Sequence, residues 1–233
     1  MPWGVGKTPA AGRGRGAGSG GAAAHRKSAW EIGQVERAAR YADWGVRDVR
    51  RRAWAGATVA ETYGATQSLT RKIIREEADG DALATKVIAA AWPAPLSAEP
   101  HAIPRLGDRL RPGVACAEID AAVNAFLDGS GFADFRTRLH RCGHGFGLGN
   151  HEPPWLALGS PHVLRENMLV SIEPGLYAPG AGGYRHSDTV LVTGDGYRCL
   201  TQSPARLPDL VLRRTTLRHR VTGWAVRRAV GLA

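Results

Sequence analysis

The sequence predicts an α+β fold, with helices flanking an antiparallel sheet. Three observations predict it. The first third carries helix-capping signals, each followed by apolar residues at helical spacing. The last third holds short β-branched runs separated by glycine and proline turns. The 233 residues, 43% of them hydrophobic, suffice for one substantial core. One folded domain over residues 28–205 is therefore expected, between a Gly/Ala/Arg-rich segment (1–27) and a basic tail (206–233).

Residues 1–27 have little bulky apolar content, and their glycines make ordering costly in entropy, so disorder is expected. Gly6-Lys7-Thr8 resembles the end of a P-loop, and Gly16, Gly18 and Gly21 fit G-x-G-x-x-G. Neither follows a strand, as a phosphate loop must. At Ser28 the hydroxyl can cap a helix while Glu31 reaches back in a capping box. Ile32, Val35, Ala39, Ala42, Val46, Val49 and Ala53 then form an apolar stripe, with the arginines on a solvated opposite face. Gly56 stops this helix. Thr58 with Glu61 opens a second one, running towards Glu77 and ending near Gly80.

Lys86 to Trp92 reads as a strand closed by Pro93 and Pro95. A loop with Pro100-His101 leads to Arg111-Pro112-Gly113. Beyond it, Ile119, Val123, Phe126 and Leu127 mark a third helix ended by Gly129 or Gly131. Met168 to Glu173 and Thr189 to Thr193 alternate as strands, and Gly194-Asp195-Gly196 turns the chain into Tyr197 to Leu200. From Arg206 onward Leu210, Val211, Leu217, Val221, Trp224 and Val226 are roughly helix-spaced, giving a peripheral helix or a surface-binding tail.

Composition removes several function classes. Cys116, Cys142 and Cys199 are too few and scattered for a disulfide framework, and no C-x-x-C spacing marks a structural zinc site. No apolar run approaches the ~20 residues that span a bilayer, so a cytoplasmic protein is expected. The formal charge of +10 lies at the ends: residues 1–28 hold five Lys and Arg and no acid, and 205–233 hold seven Arg and one Asp. Between them the chain is near neutral, which argues against a basic nucleic-acid face on the domain itself.

The stretch richest in chemistry is Arg141-Cys-Gly-His144-Gly-Phe-Gly-Leu-Gly-Asn-His151-Glu152-Pro153-Pro154. Glycines on both sides of His144 let backbone approach an ion or substrate closely. In Ser171-Ile172-Glu173-Pro174-Gly175 a carboxylate ends an apolar strand, where it must be capped by hydrogen bonds or bound to a cation.

Several segments in order resemble the pita-bread metallohydrolases: methionine aminopeptidases, Xaa-Pro peptidases and creatinases, peptidase family M24. They are Lys27-Ser-Ala-Trp-Glu-Ile32, Pro100-His101, Gly143-His144-Gly, His151-Glu152-x-Pro154, Ile172-Glu173-Pro174-Gly175, and Gly180-Ala-Gly-Gly-Tyr-Arg185 through Val190-Leu-Val-Thr193. The Xaa-Pro and creatinase branch is the most similar. The resemblance implies a shortened pita-bread fold. It also implies two divalent metals (Mn, Co or Zn) held by two aspartates, one histidine and two glutamates, with a bridging water as nucleophile. Carried over, His144 and Glu173 are metal ligands, while His101 and His151 hold substrate and stabilise the tetrahedral intermediate.

Where relatives carry the two aspartates, this chain runs from Pro100-His101 through Gly107-Asp108-Arg-Leu-Arg-Pro112-Gly113 straight into the third helix. An internal deletion that takes both aspartates is expected. Ser187 stands where many relatives have the second glutamate, and His186 and Asp188 point to the other side of a strand. Two remaining ligands fall short of the three that a catalytic zinc site keeps, although Asp108 lies near the join. The expectation is thus an Xaa-Pro peptidase-like metallohydrolase, impaired or inactive, acting on a peptide or small amide if at all. Its expected partners are that substrate and, in a homodimer, a second copy. A dead peptide- or protein-binding module, a non-functional remnant, and basic ends that anchor to nucleic acid or acidic membrane are the alternative readings.

Overall fold

The computed structural model describes residues 26–54, 56, 57, 59–77, 109–129, 140–147, 149–178, 182–204, 215–229 and 231. The Lys86–Trp92 strand, Thr58, Gly80, His101, Asp108, Gly131 and residues 1–25 and 206–214 lie outside them. Helix α1 (Ala29–Arg52) begins with the expected capping box. The Ser28 hydroxyl accepts from the Glu31 amide at 3.3 Å, and the Glu31 carboxylate accepts from the Ser28 amide at 2.8 Å. These bonds, first that from the Ser28 backbone, hold the Glu31 carboxyl below its ordinary range.

Two residues before Ser28, where the sequence predicts order to begin, already pair with the sheet. Arg26 bridges Met168, and the Lys27 amide donates to the Asn167 carbonyl at 2.7 Å. Arg26 and Lys27, expected to be disordered, thus belong to the folded unit, because their backbone groups find partners at the mouth of a strand.

The apolar stripe on α1 holds over its first half only. Ile32, Val35 and Ala39 pack in the core, but Ala42 and Val46 are exposed. Farther along, the buried positions are Asp43, Gly45 and Asp48. Asp43 accepts from the Gln202 amide at 2.7 Å and the Ser203 hydroxyl at 2.5 Å, so a polar contact replaces the apolar one. Gly45 lets Leu69 of α2 (Val59–Glu76) come close, since a Cβ there would lie 3.0 Å from its Cδ2. Nor is the arginine face simply solvated. Arg37 pairs with Glu77 at 2.8 Å, and Arg52 with Asp48 at 2.9 Å and Ser68 at 2.7 Å, tying α1 to α2.

Helix α3 (Cys116–Gly129) buries Cys116, Ile119, Val123 and Leu127, while Phe126, expected inside, is exposed. One residue before Leu127, Phe126 falls at the edge of the stripe of 116, 119, 123 and 127 and turns towards solvent. The strands are β1 (Gly143–Gly145), β2 (Glu152–Leu156), β3 (Leu169–Ile172), β4 (Gly175–Ala178), β5 (Gly182–Arg185), β6 (Asp188–Val192) and β7 (Tyr197–Cys199). Five form one sheet in the order β2-β1-β3-β6-β7, with every pairing antiparallel, and β4-β5 is a separate hairpin.

The pleat sorts the sheet into two faces. Val170, Ile172, Val190 and Val192 join Ile119, Val123 and Leu127 of α3 in the larger core, while Leu169 and Leu191 meet Ile32, Val35 and Ala39 of α1. This is the α+β arrangement of helices flanking an antiparallel sheet that the sequence predicts. Glycine-rich β1, unpromising as a strand by propensity, becomes the second strand of the sheet because neighbours on both sides complete its hydrogen bonds. Helix α4 (Leu217–Ala229) is the last described helix and packs on α2.

Candidate metal centre

His144 sits in the middle of β1, opposite Trp155 of β2 and Ser171 of β3. Both flanking glycines are required by space, not by flexibility. A Cβ on Gly143 would stand 2.1 Å from the Ser171 carbonyl oxygen, and one on Gly145 2.4 Å from that of Pro153. The register shifts between His144 and Gly145, so that Pro153 and Pro154 fall in the irregularity of strand β2 and owe no ladder donor.

Glu173 follows β3 directly, its amide donating to the Cys142 carbonyl at 2.7 Å. Its Oε1 lies 3.2 Å from His144 Nε2, with both side chains buried. His144 Nδ1 is 2.9 Å from the Gly145 carbonyl, which can only accept, so Nδ1 carries a proton. In the neutral ring Nε2 then presents a lone pair to a carboxylate oxygen. Two acceptors at that distance call for a proton or a metal cation between them. A backbone carbonyl on the far nitrogen is also the usual support of a metal-binding histidine.

His151 completes the group from the exposed side. Its ring centroid is 4.2 Å from that of His144, and one ligand atom from each of His144, His151 and Glu173 lies within 4.8 Å of the others. A tetrahedral ion with bonds of about 2.1 Å separates its donors by about 3.4 Å, so the His144–Glu173 edge is already near that length. The set therefore fits one borderline-soft divalent cation. It does not fit two: among the described residues only these three donors converge.

Around the centre, buried polar groups fix the strands that carry it. Asp120 of α3 accepts from the Cys142 amide at 2.9 Å, the Leu158 amide at 3.0 Å and Asn124 Nδ2 at 3.1 Å. Lys27, with 5% of its side chain exposed, pairs with Glu152 at 2.6 Å, and Glu152 also accepts from the Gly149 amide at 3.0 Å. Glu173 Oε2 has Arg185 Nη1 at 3.7 Å. Ser187 bonds Ser171 at 3.1 Å. His186 and Asp188 pair with each other at 3.0 Å, and Asp188 also accepts from the Thr201 hydroxyl at 2.7 Å.

Burial raises the acidity threshold of three groups nearby. The Cys116 thiol is pushed up to about 12, and Cys142 upward by burial and then by Asp120. Such thiols stay protonated and behave as core residues, not as ligands. The Tyr177 phenol is raised by burial, with Arg185 opposing and Glu173 adding; it donates to His140 Nε2 at 2.8 Å.

Of the residues singled out by sequence, the structure brings His144, Glu173 and His151 together. His101 and Asp108 lie outside the described residues. Asp120, Arg185 and the Lys27–Glu152 pair were missed as contributors to the site. Asp120 had a signal: a carboxylate adjoining the apolar stripe of a helix needs buried donors.

Residues 97–194 match the model of metallopeptidase family M24. A Mycobacterium tuberculosis protein described as "Probable dipeptidase PepE" is 42% identical over 100 residues, which are 43% of this chain and 26% of that protein. The Xaa-Pro dipeptidase of Lactobacillus delbrueckii is 37% identical over 103 residues, 44% of this chain and 27% of the relative. The match thus spans about a quarter of each relative's length. Among solved structures, an Xaa-Pro dipeptidase from Bacillus anthracis superposes with a TM-score of 0.58 at 25% identity, covering 78% of this chain and 63% of that one. Prolidase from Pyrococcus furiosus shares the fold, with a TM-score of 0.56 at 21% identity over 77% of this chain and 66% of its own.

Proposed function

We propose that this protein, whose residues 97–194 match the model of metallopeptidase family M24, has an Xaa-Pro dipeptidase-like site that holds one divalent cation and binds peptides with little or no hydrolysis. The observation that carries the reading is the approach of His144 Nε2 to Glu173 Oε1 at 3.2 Å, with His144 Nδ1 engaged by the Gly145 carbonyl. His144 and Glu173 are its fixed ligands. His151 swings in as the third, which meets the minimum of three protein donors in a zinc site. In that role it is withdrawn from the substrate-holding part that the resemblance gave it, which falls to His101.

When bound, the cation supplies positive charge to polarise a carbonyl. The chain's own groups do the rest. His151 is exposed, so peptide approaches from its side. Arg185, half exposed and 3.7 Å from Glu173, offers a guanidinium to a peptide carboxylate. Ser187, at the position of the second glutamate, is engaged with Ser171, which supports a one-cation site and impaired turnover.

Calorimetric titration with Zn²⁺, Mn²⁺ and Co²⁺ tests this directly. One equivalent per chain is expected, with a raised melting temperature. His144→Ala and Glu173→Gln should abolish binding, and His151→Ala should weaken it at least about tenfold. Two equivalents with brisk cleavage of an Xaa-Pro dipeptide would overturn the impaired reading. No metal and no thermal shift in the folded protein would overturn the metal site altogether.

A further inference from the structure

Helix α4 turns two different faces to its surroundings. One side is seated: Gly223 is buried, His219 Nε2 donates to the Arg51 carbonyl at the end of α1 at 3.0 Å, and the Arg227 guanidinium lies 5.7 Å over the Trp54 ring. His219 also closes the helix start, since its Nδ1 accepts from the Thr216 amide at 3.2 Å and the Thr216 hydroxyl accepts from the His219 amide at 3.3 Å. These contacts fix the roll of the helix about its axis. They decide which side chains point away from the protein.

Those side chains are Leu217, Val221 and Trp224, at spacings of four and three, with 76%, 56% and 56% of their surface exposed. Arg218, Arg220 and Arg228 are exposed beside them, and Arg228 lies 5.8 Å over the Trp224 ring. The helix bears no acid.

We propose that this face docks on an anionic lipid bilayer. Leu217, Val221 and Trp224 would enter the boundary between headgroups and acyl chains, and the arginines would meet lipid phosphates. Charge complementarity selects this occupant. Nucleic acid would use the arginines but gain nothing from exposed Leu217 and Val221. A second copy of α4 would set arginine against arginine. At 13 residues the helix is about 20 Å long and suits a position along the surface. None of the described helices is long and apolar enough to cross a membrane.

Co-sedimentation of the full chain with vesicles of phosphatidylcholine and phosphatidylglycerol, against pure phosphatidylcholine, tests the proposal. Partitioning into the anionic vesicles only is expected. Each arginine near the surface contributes about fivefold, so R218E/R220E/R228E should lower partitioning by at least about 100-fold. L217A/V221A/W224A should lower it at least about tenfold while leaving the melting temperature unchanged, because these side chains touch little of the protein. Absent binding, equal binding to neutral vesicles, or binding indifferent to both variants would each overturn the proposal. The last outcome would assign adhesion to the basic N-terminal segment.

Discussion

The Asp120 carboxylate on α3 accepts a 2.9 Å hydrogen bond from the Cys142 amide, 22 residues later, where the chain enters β1 one residue before Gly143 and His144. Its other oxygen accepts from Leu158, just past β2, so one buried side chain holds both ends of the β1–β2 pair. Asp120→Ala strands two amides, and about 3 kcal/mol of stability should be lost. Asp120→Asn, which keeps one acceptor oxygen, should lose roughly half as much. Urea denaturation gives the stabilities. Weaker zinc binding in the folded fraction would show that Asp120 positions His144 and does more than support the core.

The glycines flanking His144 give a second expectation. Alanine at Gly143 or Gly145 drives a methyl group into backbone that cannot move without breaking the sheet. A loss of about 3 kcal/mol or more, or failure to yield soluble protein, is expected. Gly33 in α1 is the control: nothing lies within 4 Å of its would-be Cβ, and Gly33→Ala should stabilise by about 0.5–1 kcal/mol. Thermal melts of the three variants order them.

Lys27 and Glu152 form an ion pair between segments 125 residues apart, with 5% of the Lys27 side chain and 23% of that of Glu152 exposed. Lys27→Met should cost about 2–4 kcal/mol by leaving Glu152 partly buried with fewer donors. Adding Glu152→Gln should recover part of that loss. A double-mutant cycle with no coupling between the two positions would refute the pair's contribution.

Acid stability follows from Asp188. Burial pushes its carboxyl up, but the bonds from His186 and Thr201 outweigh burial and leave it below the ordinary 3.8. A carboxyl held low in the folded state stabilises above its unfolded value, and that contribution is lost as pH falls through the folded one. The loss therefore falls below pH 3.8, and Asp188→Asn should flatten this part of the stability profile. An unaltered acid limb in Asp188→Asn would refute the assignment.

The helices and the later strands were legible because their signals are local. The Ser28–Glu31 box, Gly56 and the short apolar run from Leu169 to Ile172 need no partner to be read. Strand β1 was not legible, since Gly-His-Gly has no strand propensity and is a strand only because β2 and β3 lie beside it. The same holds for Ala42, Val46 and Phe126, whose apolar character says nothing of the rotation that Asp43 and Gly45 impose on the helix or that α3 takes against the sheet. At the site, His144, His151 and Glu173 were readable from glycine packaging and the end of a strand. Asp120 and Lys27 act through partners 22 and 125 residues away, a relation that no short window contains.

Helix α1 meets the rest of the fold through contacts of long sequence separation: Arg26 with Glu166, Lys27 with Glu152, Asp43 with Gln202 and Ser203. The sheet it covers is built almost wholly from chain between Gly143 and Cys199, in hairpins that close locally. On a ribosome α1 emerges before the strands it packs on, and α2 is the described helix that follows it. It must wait for the last strands to leave the exit tunnel before its docking surface exists. Helix α1 is therefore made before the surface it docks on, and its final placement waits on strands that follow it in the chain.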